Sequence, residues 1–484
     1  MIETNLETIV EVVGGTVIAD AASKSRQLKG LVWDSREVKE GNIFLAMPGE
    51  HVDGNDYIDP AIRAGAGCVL CTRQPDQAIQ ALAFEFLCSI VVVTDGIAAC
   101  SSLASWWRGQ LHAIVIGITG SAGKTSTKEL VTNVLAQQFK TCATKGNYNN
   151  ELGVPATILS ANKDCEILVV EMGMRGLGQI EHLCKIVQPS IGIITNVGTT
   201  HMELLGSQEA IAQAKSELFS ALPKDGLAIF NAEDKYSDYA CKISKLDERG
   251  IVKRSFGLSD KADIWADNIT TKDNACCTFD IRIKQSMRIH QASLNVPGIH
   301  SVLNSLPAIL IAQYLAVSDE EIIAGLKATC PADMRMQVFE RDDGVTFLND
   351  AYNANPAAMK EALETFSSMK CAGKRYAVLG DMAELGASER QLHRQVGVHV
   401  FKCKIDRLVC VGMLAAEIGS AAIEAGMPSG AVQCFEQKSD AAKYLSEQLE
   451  PKDLVLLKAS RVMELEELIE TSVIENYAAK KGVE

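Results

Sequence analysis

The sequence predicts an α/β protein of three domains, each built on its own sheet. Three observations carry that prediction. The chain has 484 residues, and length alone sets a prior of about three domains. Short runs of β-branched and aliphatic residues alternate with helical patterns, as in mainly parallel sheets with helices on both faces. One such run, residues 113–118, leads into a glycine-rich turn, then Lys124, Thr125 and a helical pattern. The expected domains are a small α/β unit at 1–110, a central domain with a mainly parallel sheet at 111–328, and a doubly wound unit at 329–484.

In the first domain, Leu31, Val32 and Trp33 lead into Asp34-Ser35-Arg36. Residues 41–46 read as a turn and strand, 48–54 as a loop and 57–66 as a helix. Asp34-Ser35-Arg36 taken alone is a capped turn with a surface ion pair, because these residues form turns readily. The alternative is that Ser35 and Arg36 hold a diphosphate or a uracil edge. Cys68 and Cys71 stand in an apolar, strand-like run with no second pair beside them, which argues for small buried residues and against a metal site.

The central domain begins with the 113–118 strand. Gly120, Ser121, Ala122, Gly123, Lys124, Thr125 and Ser126 follow, and a helix is expected over 125–139. Strand, glycine turn, Lys-Thr and helix form a phosphate-cradling loop. The glycines let backbone N–H groups close on phosphates, the helix N-terminus adds positive potential, Lys124 reaches the terminal phosphates, and Thr125 offers its hydroxyl to Mg²⁺. The general pattern has a glycine where this chain has Ile118. Further strands are expected at 167–170, 191–195 and 227–230, with an antiparallel extension at 264–289. Ligands sit at the carboxyl ends of such strands, which singles out Glu171, Asn196 and His201.

Residues 109–112 and 330–333 read as two hinges about which the three domains move as bodies. Beyond the second, strands are expected at 345–348, 376–379, 408–411 and 454–457, with a helix at 356–369, an amphipathic helix at 465–474 and a frayed polar end at 480–484. This alternation makes the last domain Rossmann-like.

A formal net charge of -14 argues against nucleic acid as a partner, which needs clustered Lys and Arg. Anionic ligands must then be held by local basic groups and helix N-termini. The 15 cysteines are mostly scattered, a usage that suits a reducing compartment. Glu3, Glu7 and Glu11 occupy the place of a signal peptide's basic and apolar regions, and no apolar run is long enough for membrane insertion. The expectation is a cytoplasmic protein. The absence of a heptad seam predicts a monomer.

Several stretches, in one order along the chain, resemble the Mur ligases, the ATP-dependent amide-forming enzymes of peptidoglycan precursor synthesis. They are residues 117–126, the strand end at Glu171, His201 with Lys215, Asn349 through Pro356, residues 145–155, residues 378–386 and Lys458-Ala459-Ser460-Arg461. The family has Asn where this chain has Ser301, and Gly where it has Ala459. The resemblance implies three-domain Mur ligase architecture, with a UDP-substrate-binding N-terminal domain, a P-loop ATPase domain and a C-terminal domain that closes over ATP and the acceptor. It implies ATP and Mg²⁺ as cofactors, and UDP-N-acetylmuramoyl-tripeptide and D-alanyl-D-alanine as substrates joined through an acyl phosphate.

Residue by residue, the resemblance implies the following roles. The phosphate loop 120–126 with Asn304, Arg335 and Asp350 holds the nucleotide; Thr125 and Glu171 hold a first Mg²⁺, and His201 and Lys215 a second. Lys124, His201, Lys215 and Arg335 serve the chemistry. Ser35, Arg36, Asn147, Asn149, Asn150, Tyr352, Asn353, Asn355, Lys458 and Ser460 contact substrates. The resemblance also implies that Lys215 is carbamylated, which turns a repelled cation into an anionic oxygen ligand. The residues alone leave open a helix lysine paired with Glu209 or Glu217. Asp381 and Glu384 read either as caps of the helix that follows or as acceptor contacts.

Overall fold

Runs of buried aliphatic residues set the sheets. In the computed structural model, which describes residues 1–20, 26–49, 52–200, 202–271, 276–284, 289–341 and 344–469, the strand Ile167–Glu171 is buried at every position. Each such aliphatic side chain contributes about 1.5–3 kcal/mol relative to an exposed one. A strand buried on both faces belongs in the middle of a parallel sheet covered by helices.

Among the described residues, one main sheet organises each region. The N-terminal sheet has five strands in the order Thr16–Ala19, Ser89–Val92, Cys68–Cys71, Ile43–Ala46 and Leu31–Val32. Its pairs are parallel except the first. The central sheet has nine strands. Ile114–Thr119 lies between Ile167–Glu171 and Ile191–Ile194, parallel to both. At the far edge the expected antiparallel extension is three strands, Ile264–Thr271, Cys277–Ile283 and Ile289–Leu294, antiparallel to one another. The C-terminal sheet has six strands, and only the Gln337–Glu340 edge is antiparallel. This is a three-domain α/β architecture with mixed, mainly parallel sheets.

Local differences have local causes. The helix expected over 57–66 is a 3-10 turn, Gly54–Tyr57, followed by a short helix, Ile58–Arg63. Asp53 caps that turn by accepting from Asn55 N, which starts the backbone winding early. The phosphate-loop helix is Lys124–Leu135 and stops short of residue 139. Of the 465–474 stretch, residues to 469 are described, and Leu465, Leu468 and Ile469 are buried against the C-terminal sheet. Residues 480–484 lie outside the described residues.

The cores divide unevenly. One cluster runs from Ile2, Leu45, Leu103 and Trp107 of the first region to Val115, Ile158 and Leu168 of the second. The Trp107 indole donates to the Ala161 carbonyl at 3.0 Å, and Arg108 Nε donates to the Val187 carbonyl at 2.9 Å. The boundary near residue 110 is therefore packed. Beyond residue 344 two further clusters cover the two faces of the C-terminal sheet, and among the described residues neither includes a buried residue from the other regions. No described helix is long and apolar enough to cross a membrane.

Candidate active site

The parallel registers bring Thr119, Glu171 and Ile194 to one sheet edge, and the phosphate loop leaves from the middle of it. A Cβ at Gly120 would lie 1.8 Å from Thr195 Oγ1, and one at Gly123, where φ is +77°, would lie 2.5 Å from Asn304 Oδ1. Only glycine fits either place. Asn196 holds the loop from beneath: Ser121 N donates to its carbonyl at 3.1 Å and Ala122 N to its Oδ1 at 2.9 Å. The helix Lys124–Leu135 starts without a side-chain cap, so its first-turn N–H groups are free for an anion. Lys124 Nζ donates to the Gly120 carbonyl at 2.9 Å.

Glu171 is buried at the end of its strand. Its Oε2 accepts from Thr125 Oγ1 at 2.8 Å and its Oε1 from Asn149 Nδ2 at 2.7 Å. Burial pushes the Lys124 amine below the ordinary lysine range; Glu171 opposes that shift and Arg335 adds to it. Lys215, 2% exposed, is pushed well below its ordinary value, chiefly by burial and then by the charge of Lys124. Its side chain makes no ion pair among the described residues. Pairing with Glu209 or Glu217 does not occur: Glu209 accepts from the Tyr236 hydroxyl, and Glu217 from the backbone N–H groups of Gly178 and Glu181.

A cavity of about 320 Å³ joins the central and C-terminal domains. From the central side, residues 121–126, Asn147, Asn149, Glu171 and Asn304 line it; Arg335, Asp350, Tyr352, Asn353, Asn355 and Lys458 line the other wall. The Arg335 guanidinium stacks on the Tyr352 ring, 4.1 Å from its centroid. Left-handed Met334 (φ 55°) and Met336 (φ 53°) flank Arg335, each a strained conformation for a non-glycine residue. Met336 N donates to Asp350 Oδ1 at 3.2 Å, which ties the connecting segment to the C-terminal wall.

Other expected site residues fall elsewhere. Arg36 is exposed and pairs with Asp34 at 2.6 Å, while Asp34 caps the 3-10 turn Ser35–Glu37; this is the capped turn with an ion pair. The Arg36 partner and its backbone N–H hold the Asp34 carboxyl down at about 2. Asn150 Oδ1 accepts from Gly153 N at 2.9 Å, at the start of the helix Gly153–Ser160. Ser460 Oγ accepts from Ala383 N at 2.8 Å. Asp381 caps a helix, though a later one than expected: it accepts from Ala415 N, at the start of Ala415–Glu424. Glu384 reaches the central domain, 3.9 Å from Arg175 Nη2. His201 lies outside the described residues.

Three side chains were not singled out by sequence. Glu361 and His300 face each other across the cavity, with Nδ1 to Oε1 at 3.7 Å, and burial raises the Glu361 carboxyl. Spacing held a signal for Glu361, since Ala358, Glu361, Ala362 and Thr365 share the cavity-facing stripe of one helix. Lys128 is the third.

The site fits a nucleotide and a hard cation. The glycine cradle and uncapped helix offer N–H groups, and the adjoining Thr125 hydroxyl and Glu171 carboxylate are oxygen donors of the kind Mg²⁺ takes. No cluster of three His, Cys, Asp or Glu occurs among the described residues.

Comparison with known proteins gives three family matches along the chain. The Mur ligase middle domain matches residues 118–312, the Mur ligase glutamate ligase domain 334–461, and the Mur ligase family catalytic domain 27–101. The UDP-N-acetylmuramoyl-tripeptide–D-alanyl-D-alanine ligase of Bacillus subtilis (strain 168) is 32% identical over 472 residues, covering 97% of this chain and 98% of the relative. The crystal structure of MurF from Acinetobacter baumannii superposes with a TM-score of 0.84 at 28% identity, over 98% of this chain and 99% of that one. MurF ligase from Thermotoga maritima, solved in complex with ADP, gives 0.76 at 28% identity, over 94% and 99%.

Proposed function

The chain belongs to the Mur ligase family, and we propose that it joins D-alanyl-D-alanine to UDP-N-acetylmuramoyl-tripeptide at the expense of ATP. The observation that carries this reading is the cavity in which Lys124, Thr125 and Glu171 face Arg335 and Asp350. The full-length likeness to D-alanyl-D-alanine-adding ligases supports the substrates. In this reading residues 1–110 hold the UDP end of the donor, 111–328 the nucleotide, and 329–484 the acceptor.

A carboxylate resists an amine at neutral pH because its negative charge repels nucleophiles and oxide is a poor leaving group. Transfer of the γ-phosphoryl group of ATP to the tripeptide's terminal carboxylate gives an acyl phosphate and ADP. The free amine of D-alanyl-D-alanine attacks the acyl carbon, loses a proton, and inorganic phosphate leaves as the amide forms. The protein's part is positioning and charge neutralisation. Lys124 and the helix N-terminus meet the charge on the transferring phosphoryl group from one side, and Arg335 meets it from the other. Asp350 holds the ribose, and Asn304 the nucleotide beside Gly123. Bound Mg²⁺ supplies neutralising charge to the phosphates, with Thr125 and Glu171 as its protein ligands. His201 and a carbamylated Lys215 would hold a second ion; burial lowers the Lys215 amine well below the ordinary lysine range, which favours the neutral form that takes up CO₂. Because half of the cavity wall comes from the C-terminal domain, closing it excludes water from the acyl phosphate.

The test is to supply ATP, Mg²⁺ and UDP-N-acetylmuramoyl-tripeptide with single candidate acceptors, reading phosphate release and product mass. D-alanyl-D-alanine should give the pentapeptide product. Product formation with a different acceptor alone, or ATP turnover independent of the UDP-peptide, refutes the assignment.

A further inference from the structure

Lys128 is a fully buried cation that the chemistry above does not use. It sits one turn after Lys124 on the phosphate-loop helix, its side chain inaccessible to solvent, and it does not line the cavity. Its Nζ donates to the Thr144 carbonyl at 2.7 Å and to the Gly146 carbonyl at 3.0 Å, and lies 2.8 Å from Glu129 Oε1. An ammonium has three donors, and three acceptors meet them. Burying an ammonium is costly without such partners, so this pocket is shaped for a lysine.

What the lysine grips gives it meaning. Thr144 and Gly146 belong to the segment between the strand Thr141–Ala143 and the helix Gly153–Ser160. That segment brings Asn147 and Asn149 to the cavity wall. Asn149 Nδ2 holds one oxygen of Glu171, and Thr144 Oγ1 accepts the Glu171 N–H at 3.0 Å. The other Glu171 oxygen is held by Thr125, from the same helix as Lys128. Outward, Tyr148 packs on Trp33 of the first domain with ring centroids 5.8 Å apart, next to Asp34-Ser35-Arg36. An apolar side chain of the same length would fill the space but leave two carbonyls without these donors.

We propose that Lys128 is a positioning residue that fixes segment 144–150 to the phosphate-loop helix, so that nucleotide binding sets both the Asn149 grip on Glu171 and the seat of the UDP-linked donor. The inference rests on the ligase reading above for the identity of that donor. It acts through Asn149 and the segment's backbone; Lys128 touches no substrate.

Lys128→Met, assayed in the full-length enzyme, should raise KM for UDP-N-acetylmuramoyl-tripeptide and lower kcat, each about tenfold or more, since hydrogen bonds to a charged group are lost. The Kd for ADP should stay within about threefold, as no nucleotide contact is removed. Combined with Asn149→Ala, the kcat losses should be markedly less than multiplicative, because both changes release the same grip. Equal loss for both substrates, or a fall in kcat at unchanged KM that multiplies with Asn149→Ala, means that Lys128 only supports folding and overturns the proposal. Hydrogen exchange on the unmodified protein is independent of whether the variant folds. ADP with Mg²⁺ should slow exchange of the 146–148 amides, and unchanged exchange there overturns the coupling. If the unmodified protein makes no ligation product at all, it is the ligase reading that fails, and the exchange result still decides the coupling.

Discussion

Lys458 Nζ lies 2.5 Å from Asp350 Oδ2, a buried pair with side-chain exposures of 3% and 15% that joins the carboxyl ends of two neighbouring parallel strands. The same ammonium donates to the backbone carbonyls of Asp350 at 3.3 Å and Asn353 at 3.1 Å. Lys458 thus spends its donors on the loop that carries Asp350, Tyr352, Asn353 and Asn355, and presents that loop to the nucleotide domain.

Breaking this pair on one side should be costly. Lys458→Met leaves the Asp350 carboxylate in a buried site without its cation, and one-sided loss of a buried pair costs about 3–5 kcal/mol. Adding Asp350→Asn should recover part of the loss. Urea unfolding of the single and double variants measures both. A single-variant loss below about 1 kcal/mol is what an exposed pair gives, and would contradict the burial.

Lys124→Ala and the double change Ser35→Ala with Arg36→Ala should separate the two ends of the reaction. The first removes a charge from the transferring phosphoryl group and should lower kcat about a hundredfold or more, with weaker ATP binding. The second should act mainly on KM for the UDP-peptide. Because Arg36 is exposed and, among the described residues, pairs with Asp34 two positions away, its loss should leave the melting temperature nearly unchanged. Equal effects on both substrates in both variants would show the two sites misassigned.

Lys215 should make stability depend on pH in a defined direction. Its amine is held well below the lysine range in the fold, while the unfolded chain protonates near pH 10.4. As pH falls below that value the unfolded state binds the extra proton, so native stability drops until the folded pKa is reached and is constant below it. In CO₂-free buffer, Lys215→Met should therefore be more stable than the parent at pH 7, and the gain should shrink as pH approaches about 10.4. Its ligase rate should be lost. With ¹³C-bicarbonate the parent should show a carbamate carbon signal that the Met variant lacks. A parent without that signal, together with near-normal rate in Lys215→Ala, would end the carbamate assignment.

Domain closure should pivot at the second boundary alone. The first two regions share one apolar core, whereas the C-terminal sheet keeps its two cores to itself. Small-angle scattering should show a smaller radius of gyration with an ATP analogue and UDP-tripeptide than without them, fitted by moving residues 334–469 about 330–333. Superposable profiles, or a fit that needs movement at 109–112, would count against this pivot.

The phosphate loop was legible because strand, turn and helix are consecutive: Ile114–Thr119, Gly120–Gly123 and Lys124–Leu135 need only local sterics and burial. The Asp34–Arg36 turn was legible for the same reason, as cap and ion pair lie two residues apart. The resemblance added which distant residues belong to one chemistry, and Arg335, Asp350 and Asn304 do share a cavity with Lys124. Their meeting depends on a connecting segment held in strained, left-handed methionines, which no periodicity announces.

Partnerships between residues far apart in the chain were decided only by the tertiary structure. Asp381 reads as a cap, but the helix it caps begins at Ala415, because parallel strands put the two side by side. Lys215 beside Glu217 reads as half of a surface pair, yet the fold buries the amine and gives Glu217 to another helix's N–H groups. Lys128 reads as an ordinary helix lysine, and its meaning comes from two carbonyls 16 and 18 residues away. Sequence determines elements because propensity and periodicity act within a few residues. It leaves the state of a buried charge open, since that depends on desolvation and on partners that only the packed chain supplies.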